Sequence, residues 1–271
     1  MKFAMRMFRR IAGIGLGIIW ISGCASSNLA YTPSDMAVMS RSPSLTEIRF
    51  ETRAGRQSAF YLPPRNDPEA LPSPLVIAYP GIGSRALDWR DLVSAAPDVD
   101  AGFLLIDYPG RGHSEGWMRP KYLPESTRGA LESLGRYLDA PTSRLTARLV
   151  LLGHSFGCGA ALQVATELGP ERIVLIAPFT TLGKALFLKI GPLAWFNPDR
   201  MDNRERIQEV CNLTPRPVVT LIHGDSDGSI PVEMARELAG LTPGCVAYRE
   251  ISGAGHMDVL ETARDLIFEG V

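Results

Sequence analysis

The stretch Gly153-His154-Ser155-Phe156-Gly157 reads G-x-S-x-G. Before it runs Ala147-Arg148-Leu149-Val150-Leu151-Leu152, a short apolar strand candidate. After it runs Cys158-Gly159-Ala160-Ala161-Leu162-Gln163-Val164-Ala165, a small-residue helix candidate. A strand that turns sharply into a helix around a Ser is a nucleophile elbow. The turn strains the Ser backbone, so the positions two before and two after must be tiny, which Gly153 and Gly157 are. A bare G-x-S-x-G also arises by chance in Gly-rich turns, and here the flanks decide.

A serine alcohol is a weak nucleophile at neutral pH and needs a base, usually His, oriented by a carboxylate. Around such an elbow the partners follow the Ser in the order acid, then His. Of the four His residues, His113 precedes the Ser in a Gly-rich turn, and His154 adjoins it but is expected to point away. His223 ends a strand candidate, where it is expected to brace the next loop. His256 lies in Gly253-Ala254-Gly255-His256-Met257-Asp258, after the last strand candidate, and alone has both the order and the loop position. The acid comes from the loop His223-Gly224-Asp225-Ser226-Asp227-Gly228-Ser229-Ile230-Pro231. Asp225 and Asp227 both qualify. The spacing from His223-Gly224 and to Ile230-Pro231 favours Asp227, leaving Asp225 to structure the turn. Asp107 also ends a strand candidate but precedes the Ser, so it reads as structural. The developing oxyanion needs two backbone N–H donors. Phe156, directly after the nucleophile, is one candidate, and Ile82 in the flexible Gly81-Ile82-Gly83 turn is the other.

Eight strand candidates are spaced along the domain. Leu45 to Thr52 and Gln57 to Leu62 form a hairpin. Leu75 to Tyr79, Gly102 to Asp107, the elbow strand, Arg172 to Ala177, Pro217 to Ile222 and Val246 to Ile251 then alternate with helix candidates at Arg85 to Ala96, Glu125 to Leu138, the elbow helix, Val232 to Leu241 and His256 to Phe268. That alternation predicts an α/β fold with a mostly parallel eight-stranded sheet flanked by helices on both faces. Active sites in such sheets lie at the carboxyl ends of the strands. Residues 180–216 are too long for a plain loop and predict a short cap insertion over the nucleophile. Leu186, Phe187, Leu193, Trp195 and Phe196 are candidate walls of an acyl pocket there. An extra packing helix without substrate contact is the other reading.

The N-terminus reads as a targeting segment. Lys2, Arg6, Arg9 and Arg10 precede an apolar run over residues 11–21, of signal-peptide length. Ile21-Ser22-Gly23-Cys24 then resembles a bacterial lipoprotein lipobox. Residues 1–23 are therefore expected to be a lipoprotein signal peptide, with Cys24 lipidated and residues 24–44 a Ser- and Pro-rich flexible tether. Residues 45–271 form the folded domain. The implied location is the bacterial cell envelope, membrane-bound through the lipid, with Ser26 favouring the outer membrane. The net charge of −1 over 271 residues gives no reason to expect nucleic acid. Cys158 reads as packing, Cys211 and Cys245 as a pair that export would permit to bridge. No spacing suggests a metal site, and the chemistry needs no cofactor.

The motifs D-Y-P-G-R-G-H-S-E-G (107–116), G-H-S-F-G (153–157), P-F-T-T-L (178–182), D-R-M-D-N-R-E-R-I (199–207), H-G-D-S-D-G-S-I-P (223–231) and G-A-G-H (253–256) resemble those of an α/β-hydrolase of the Bem46-like group, related to serine aminopeptidase-like and depalmitoylase-like hydrolases. The resemblance spans most of residues 45–271 and implies a triad of Ser155, Asp227 and His256. Relatives usually carry H-G-N or similar in the oxyanion turn, where this chain has Pro80-Gly81-Ile82, so a polar side chain is missing there. The expected activity is a serine hydrolase acting on the ester or thioester of a small acyl substrate. A peptidase or amidase of the same fold, or a non-catalytic envelope-binding lipoprotein, are the alternatives.

Overall fold

The computed structural model describes residues 30–31, 44–94, 96 and 99–271. The expected signal peptide, Cys24 and most of the expected tether lie outside the described residues. The first two strands, β1 (Thr46–Thr52) and β2 (Gly55–Leu62), pair antiparallel, with Thr52 opposite Gly55 at the turn. Then come β3 (Leu75–Tyr79), β4 (Gly102–Ile106), β5 (Leu149–His154), β6 (Arg172–Ile176), β7 (Val218–Gly224) and β8 (Val246–Ile251). The sheet order is β1-β2-β4-β3-β5-β6-β7-β8. β2 meets β4 antiparallel, and every pair from β4 to β8 is parallel. The eight-stranded, mostly parallel sheet expected from the sequence is the one observed.

The central strands are apolar throughout because helices cover both faces. Leu149, Leu151, Ile173, Leu175 and Leu221 pack into one buried layer, while Val150, Leu152, Val174, Ile176 and Ile222 pack into the other. That alternation is the two-residue period of a strand. The amphipathic helix α2 (Leu123–Tyr137) buries Ala130, Leu131 and Leu134 in the first layer. On the opposite face, where a helix over Arg85 to Ala96 is expected, a short 3₁₀ turn (Ala86–Trp89) precedes α1 (Arg90–Ser94). The N–H of Ala86 is committed to the Asp107 carboxylate at 2.9 Å, and Arg85 and Asp88 grip each other's first-turn groups. These side-chain bonds hold the tighter turn in place of a continuous helix.

After β5 and the short α3 (Thr142–Leu145) that precedes it, the elbow helix α4 (Phe156–Leu168) is buried from Phe156 to Leu162 and again at Val164 and Ala165. The expected insertion after β6 contains α5 (Leu182–Ile190), a 3₁₀ turn (Gly191–Phe196) and α6 (Asn203–Cys211). Its base is firmly tied. Thr181 bridges Asp202, the Asn203 side-chain amide donates to the Phe179 carbonyl at 2.8 Å, and Met201 rests against Gly159 of α4. Helix α7 (Glu233–Leu241) covers β7 and β8. The terminal helix expected from His256 to Phe268 is two short pieces, α8 (Val259–Thr262) and α9 (Arg264–Ile267). Residues 253–258 turn instead, and that leaves His256 free to reach back over the sheet edge.

Cys211, the last residue of α6, forms a disulfide with Cys245, just before β8. Cys158 is buried and free. The bridge spans 34 residues of chain, a loop whose closure is worth about 3–4 kcal/mol on the chain-entropy account. Each kcal/mol moves the midpoint of a domain this size by roughly 2–4 °C. The Cys211→Ser/Cys245→Ser double variant should therefore melt about 10 °C lower in calorimetry, and reductant should lower the wild-type midpoint to match. A wild-type Tm indifferent to reductant would contradict the bridge's role.

Candidate active site

The elbow is built by close backbone approach. Ser155 sits at φ 54°, ψ −116°, in a region an L-residue adopts only under constraint. A Cβ on Gly153 would meet the Gly157 carbonyl, and one on Gly157 would meet the Tyr79 carbonyl and come within 2.9 Å of the Pro80 carbonyl. The two glycines therefore allow β5, α4 and the turn after β3 to close on each other. The Ser155 N–H is held by the Ile176 carbonyl at 2.8 Å, which ties the elbow to β6.

Three side chains expected to act together do meet. The Oγ of Ser155 lies 3.0 Å from Nε2 of His256, and Nδ1 of His256 lies 2.7 Å from Oδ2 of Asp227. A carboxylate accepts, so Nδ1 carries the proton and the Nε2 lone pair faces the serine. Asp227 is held from several sides. Its Oδ1 accepts from the N–H groups of Ser229 at 2.7 Å and Ile230 at 2.8 Å. Its Oδ2 also lies 3.2 Å from Nε2 of His223. Burial alone would push this carboxyl upward, but the bonds from His223, His256 and Ile230 outweigh it and hold the group well below the usual carboxylate range. Asp225 does different work, accepting the Gly253 N–H at 2.7 Å and so pinning the loop that carries His256.

The turn after β3 stands beside the elbow. Tyr108 donates to the Pro80 carbonyl at 2.7 Å and stacks edge-on against Phe156. Among the described residues, no backbone carbonyl takes the N–H of Ile82 or of Phe156. Both remain available to an anionic oxygen, as an oxyanion hole requires. The Ile82 side chain is exposed.

His223 braces its loop as expected, its Nε2 donating to the Ile230 carbonyl at 3.0 Å. His154 is a residue whose part the sequence reading missed. Its side chain is off Ser155, yet Nε2 donates to the backbone carbonyl of His256 at 2.9 Å, and the two imidazoles lie 4.8 Å apart. Its other face abuts Gly81, where a Cβ would come within 3.0 Å of Nδ1. His154 thus spans the turn after β3 and the loop that carries His256. Nothing local in the sequence marks this, since the pairing depends on how the last loop folds over β5. Burial and the neighbouring His256 push the pKa of His154 down to about 4. The unfolded chain therefore takes up a proton near pH 6.5 that the folded one refuses until about pH 4. Stability due to this group is intact above pH 6.5 and falls on acidification to pH 4, by on the order of 3 kcal/mol. His154→Gln should flatten the denaturation midpoint across pH 4–6.5 relative to wild type. Parallel profiles for the two proteins would contradict the assignment.

Trp195 and Phe196 do not form an enclosed wall over Ser155. They are 74% and 68% exposed. Cavities of about 450 Å³ occur beside Glu132, Arg136 and Thr142 and beside Glu47, Arg56 and His113, and Ser155 lines neither. Both aromatics stand on the Gly191–Phe196 turn with most of their surface exposed, so they do not enclose an acyl pocket. Among the described residues no cluster of His, Cys, Asp or Glu could hold a metal ion.

This sheet order, with Ser155 after β5, Asp227 after β7 and His256 after β8, decides the architecture. The chain has the α/β-hydrolase fold. A model of the Alpha/beta hydrolase family matches residues 75–208. The crystal structure of an alpha-beta hydrolase from Vibrio vulnificus superposes with a TM-score of 0.71, over 92% of this chain and 90% of that one, at 15% identity. The esterase domain of a Rhodothermus marinus protein superposes with a TM-score of 0.59, over 82% of this chain and 96% of that one, at 18% identity. An uncharacterized Mycobacterium tuberculosis protein, Rv2307c, is 27% identical over 253 residues, covering 92% of this chain and 86% of the relative. These likenesses agree with the fold.

Proposed function

We propose that this α/β-hydrolase is a lipid-anchored serine hydrolase of the Bem46-like group, cleaving an ester or thioester through an acyl-enzyme on Ser155. The observation that carries the reading is the continuous relay from Ser155 Oγ through His256 to Asp227, at 3.0 and 2.7 Å. The esterase domain among the structural neighbours is consistent with it.

In the first half-reaction His256 Nε2 takes the proton of Ser155 as Oγ bonds to the substrate carbonyl carbon. The carbonyl oxygen gains the negative charge and is met by the N–H groups of Phe156 and Ile82. Asp227 stabilises the imidazolium without taking its proton. The carbon–oxygen or carbon–sulfur bond then breaks, and His256 gives its proton to the departing alcohol or thiol. In the second half a water loses a proton to His256, attacks the acyl carbon and releases the acid. Ser155 recovers its proton from His256.

Cys24, with the basic and apolar residues before it, supplies the anchor in this reading. The Cys211–Cys245 disulfide supports an exported location, since such bridges persist in oxidising compartments. A peptidase or amidase would use the same groups, so substrate choice decides between them. The test is a series of p-nitrophenyl esters of increasing chain length set against aminoacyl-anilides. The reading expects turnover of the esters at kcat/KM well above the anilides. The reverse order would make the protein a peptidase, and no turnover of either class would favour a binding role.

A further inference from the structure

Two features away from the relay lie on the same edge of the sheet. The first is the outer face of the cap. Phe187, Leu188, Ile190, Leu193, Trp195 and Phe196 are all exposed, and the rings of Phe187 and Trp195 stack with centroids 6.1 Å apart. Residues 182–198 contain Lys184 and Lys189 but no Asp or Glu; Lys184 pairs with Glu237 of α7 at 3.1 Å, and Lys189 is exposed beside the apolar face. Clustered exposed apolar side chains mark an interaction surface rather than an ordinary solvated one. Exposed aromatic and aliphatic groups with a lysine, Lys189, at their edge match the boundary between lipid headgroups and acyl chains. There the rings sit at the interface and the lysine stems extend toward phosphate.

The second feature is Tyr31. The sequence places it in the tether, yet its ring packs edge-on against Phe60 and His113, beneath the Arg85 guanidinium. Its hydroxyl donates to Asp107 Oδ1 at 3.0 Å and accepts from the Leu87 N–H at 3.1 Å. Asp107 follows β4 and Leu87 follows β3, both at the carboxyl ends of their strands. The cap follows the carboxyl end of β6. The upstream chain is therefore clipped to the edge that bears Ser155 and the cap. Cys24 stands seven residues before Tyr31, a reach of at most about 25 Å.

We propose that the exposed face of the cap docks on the lipid bilayer that holds the N-terminus, turning the carboxyl edge of the sheet and Ser155 toward the membrane. The short leash in this inference rests on the anchoring reading above; the surface itself does not. A free-swinging tether would let the domain take any orientation, whereas the Tyr31 clip fixes the chain at the same edge of the sheet that bears the cap.

The test uses the full chain in vesicles of phosphatidylcholine and phosphatidylglycerol with brominated acyl chains, which quench tryptophan only on close approach. Wild type, Trp195→Phe, Trp117→Phe and Cys24→Ser are compared for flotation and quenching. Quenching that persists in Trp117→Phe and disappears in Trp195→Phe is the expected result. Floated wild type whose quenching is unchanged by Trp195→Phe, or that is not quenched at all, overturns the docking and leaves the anchor standing. Equal flotation of wild type and Cys24→Ser with Trp195 quenched removes the anchor and supports the docking. Failure of wild type to float overturns both. A blue shift of Trp195 that grows with protein concentration without vesicles overturns the proposal in favour of contact between copies of the chain.

Discussion

Ser155→Ala and His256→Ala should each lower kcat by on the order of 10⁴–10⁶ while the protein stays folded, and the double variant should be no worse than either single one. Members of such a unit fail together, because a base without its nucleophile has nothing to activate. The residual rate comes from the oxyanion donors and from binding. Asp227→Asn removes the charge that faces His256 Nδ1 at 2.7 Å. It allows the other tautomer, in which Nε2 carries the proton and cannot accept one from Ser155. A loss on the order of 10⁴ in kcat is expected, as for the equivalent change in a serine protease triad. Asp225→Asn is the control. Its side chain holds the Gly253 N–H from an exposed position and should cost less than about tenfold, since the amide oxygen can still accept. Circular dichroism and steady-state ester hydrolysis on the five variants check the set. A crippling Asp225→Asn beside a mild Asp227→Asn would reverse the assignment of the acid.

Gly157→Ala should be nearly as damaging, for a steric reason. The added Cβ would strike the Tyr79 carbonyl and crowd that of Pro80. Both obstacles are backbone, at the end of a buried central strand, so neither can rotate aside. Overpacking of this kind costs about 1–3 kcal/mol in stability. The larger effect is on chemistry. If the turn after β3 is pushed away from α4, the proposed oxyanion donors Ile82 and Phe156 move apart, and loss of one such donor costs roughly 10²–10³ in kcat. The expected result is a kcat lower by about that factor with KM little changed. Gly83→Ala in the same turn is the control, because a Cβ there meets nothing within 4 Å. Wild-type kcat in Gly157→Ala would show that the oxyanion is held elsewhere.

Much of the fold was legible because its strands are short apolar runs set between turns. Leu149–His154 and Arg172–Ile176 have no exposed residue, as strands covered on both faces must. The relay was legible for a different reason. Each member stands in a loop directly after a strand, so chain order nearly fixes which side chains share the carboxyl edge. What escaped was set by contacts between distant segments. The Ala86–Trp89 turn answers to Asp107, more than twenty residues on, and no local periodicity records that. β7 runs on through His223 and Gly224 because both pair with β8, at Glu250 and Ile251. Gly224 approaches Ala254 so closely that a side chain would collide. Tyr31 looks like one more tether residue among serines and prolines. Only the folded sheet edge brings Asp107, Leu87, Phe60 and His113 together to receive it. Trp195 and Phe196 read as pocket walls by composition, but direction depends on a short 3₁₀ turn whose orientation the sequence does not encode locally.

The central claim is that Ser155 is the nucleophile that carries the acyl group. Labelling the full chain with a fluorophosphonate and mapping the adduct by peptide mass spectrometry tests it most directly. The expected result is one adduct per chain, on the peptide containing Gly153-His154-Ser155-Phe156-Gly157, lost in Ser155→Ala together with ester hydrolysis. An adduct on another residue, or undiminished ester turnover by Ser155→Ala, would contradict the account.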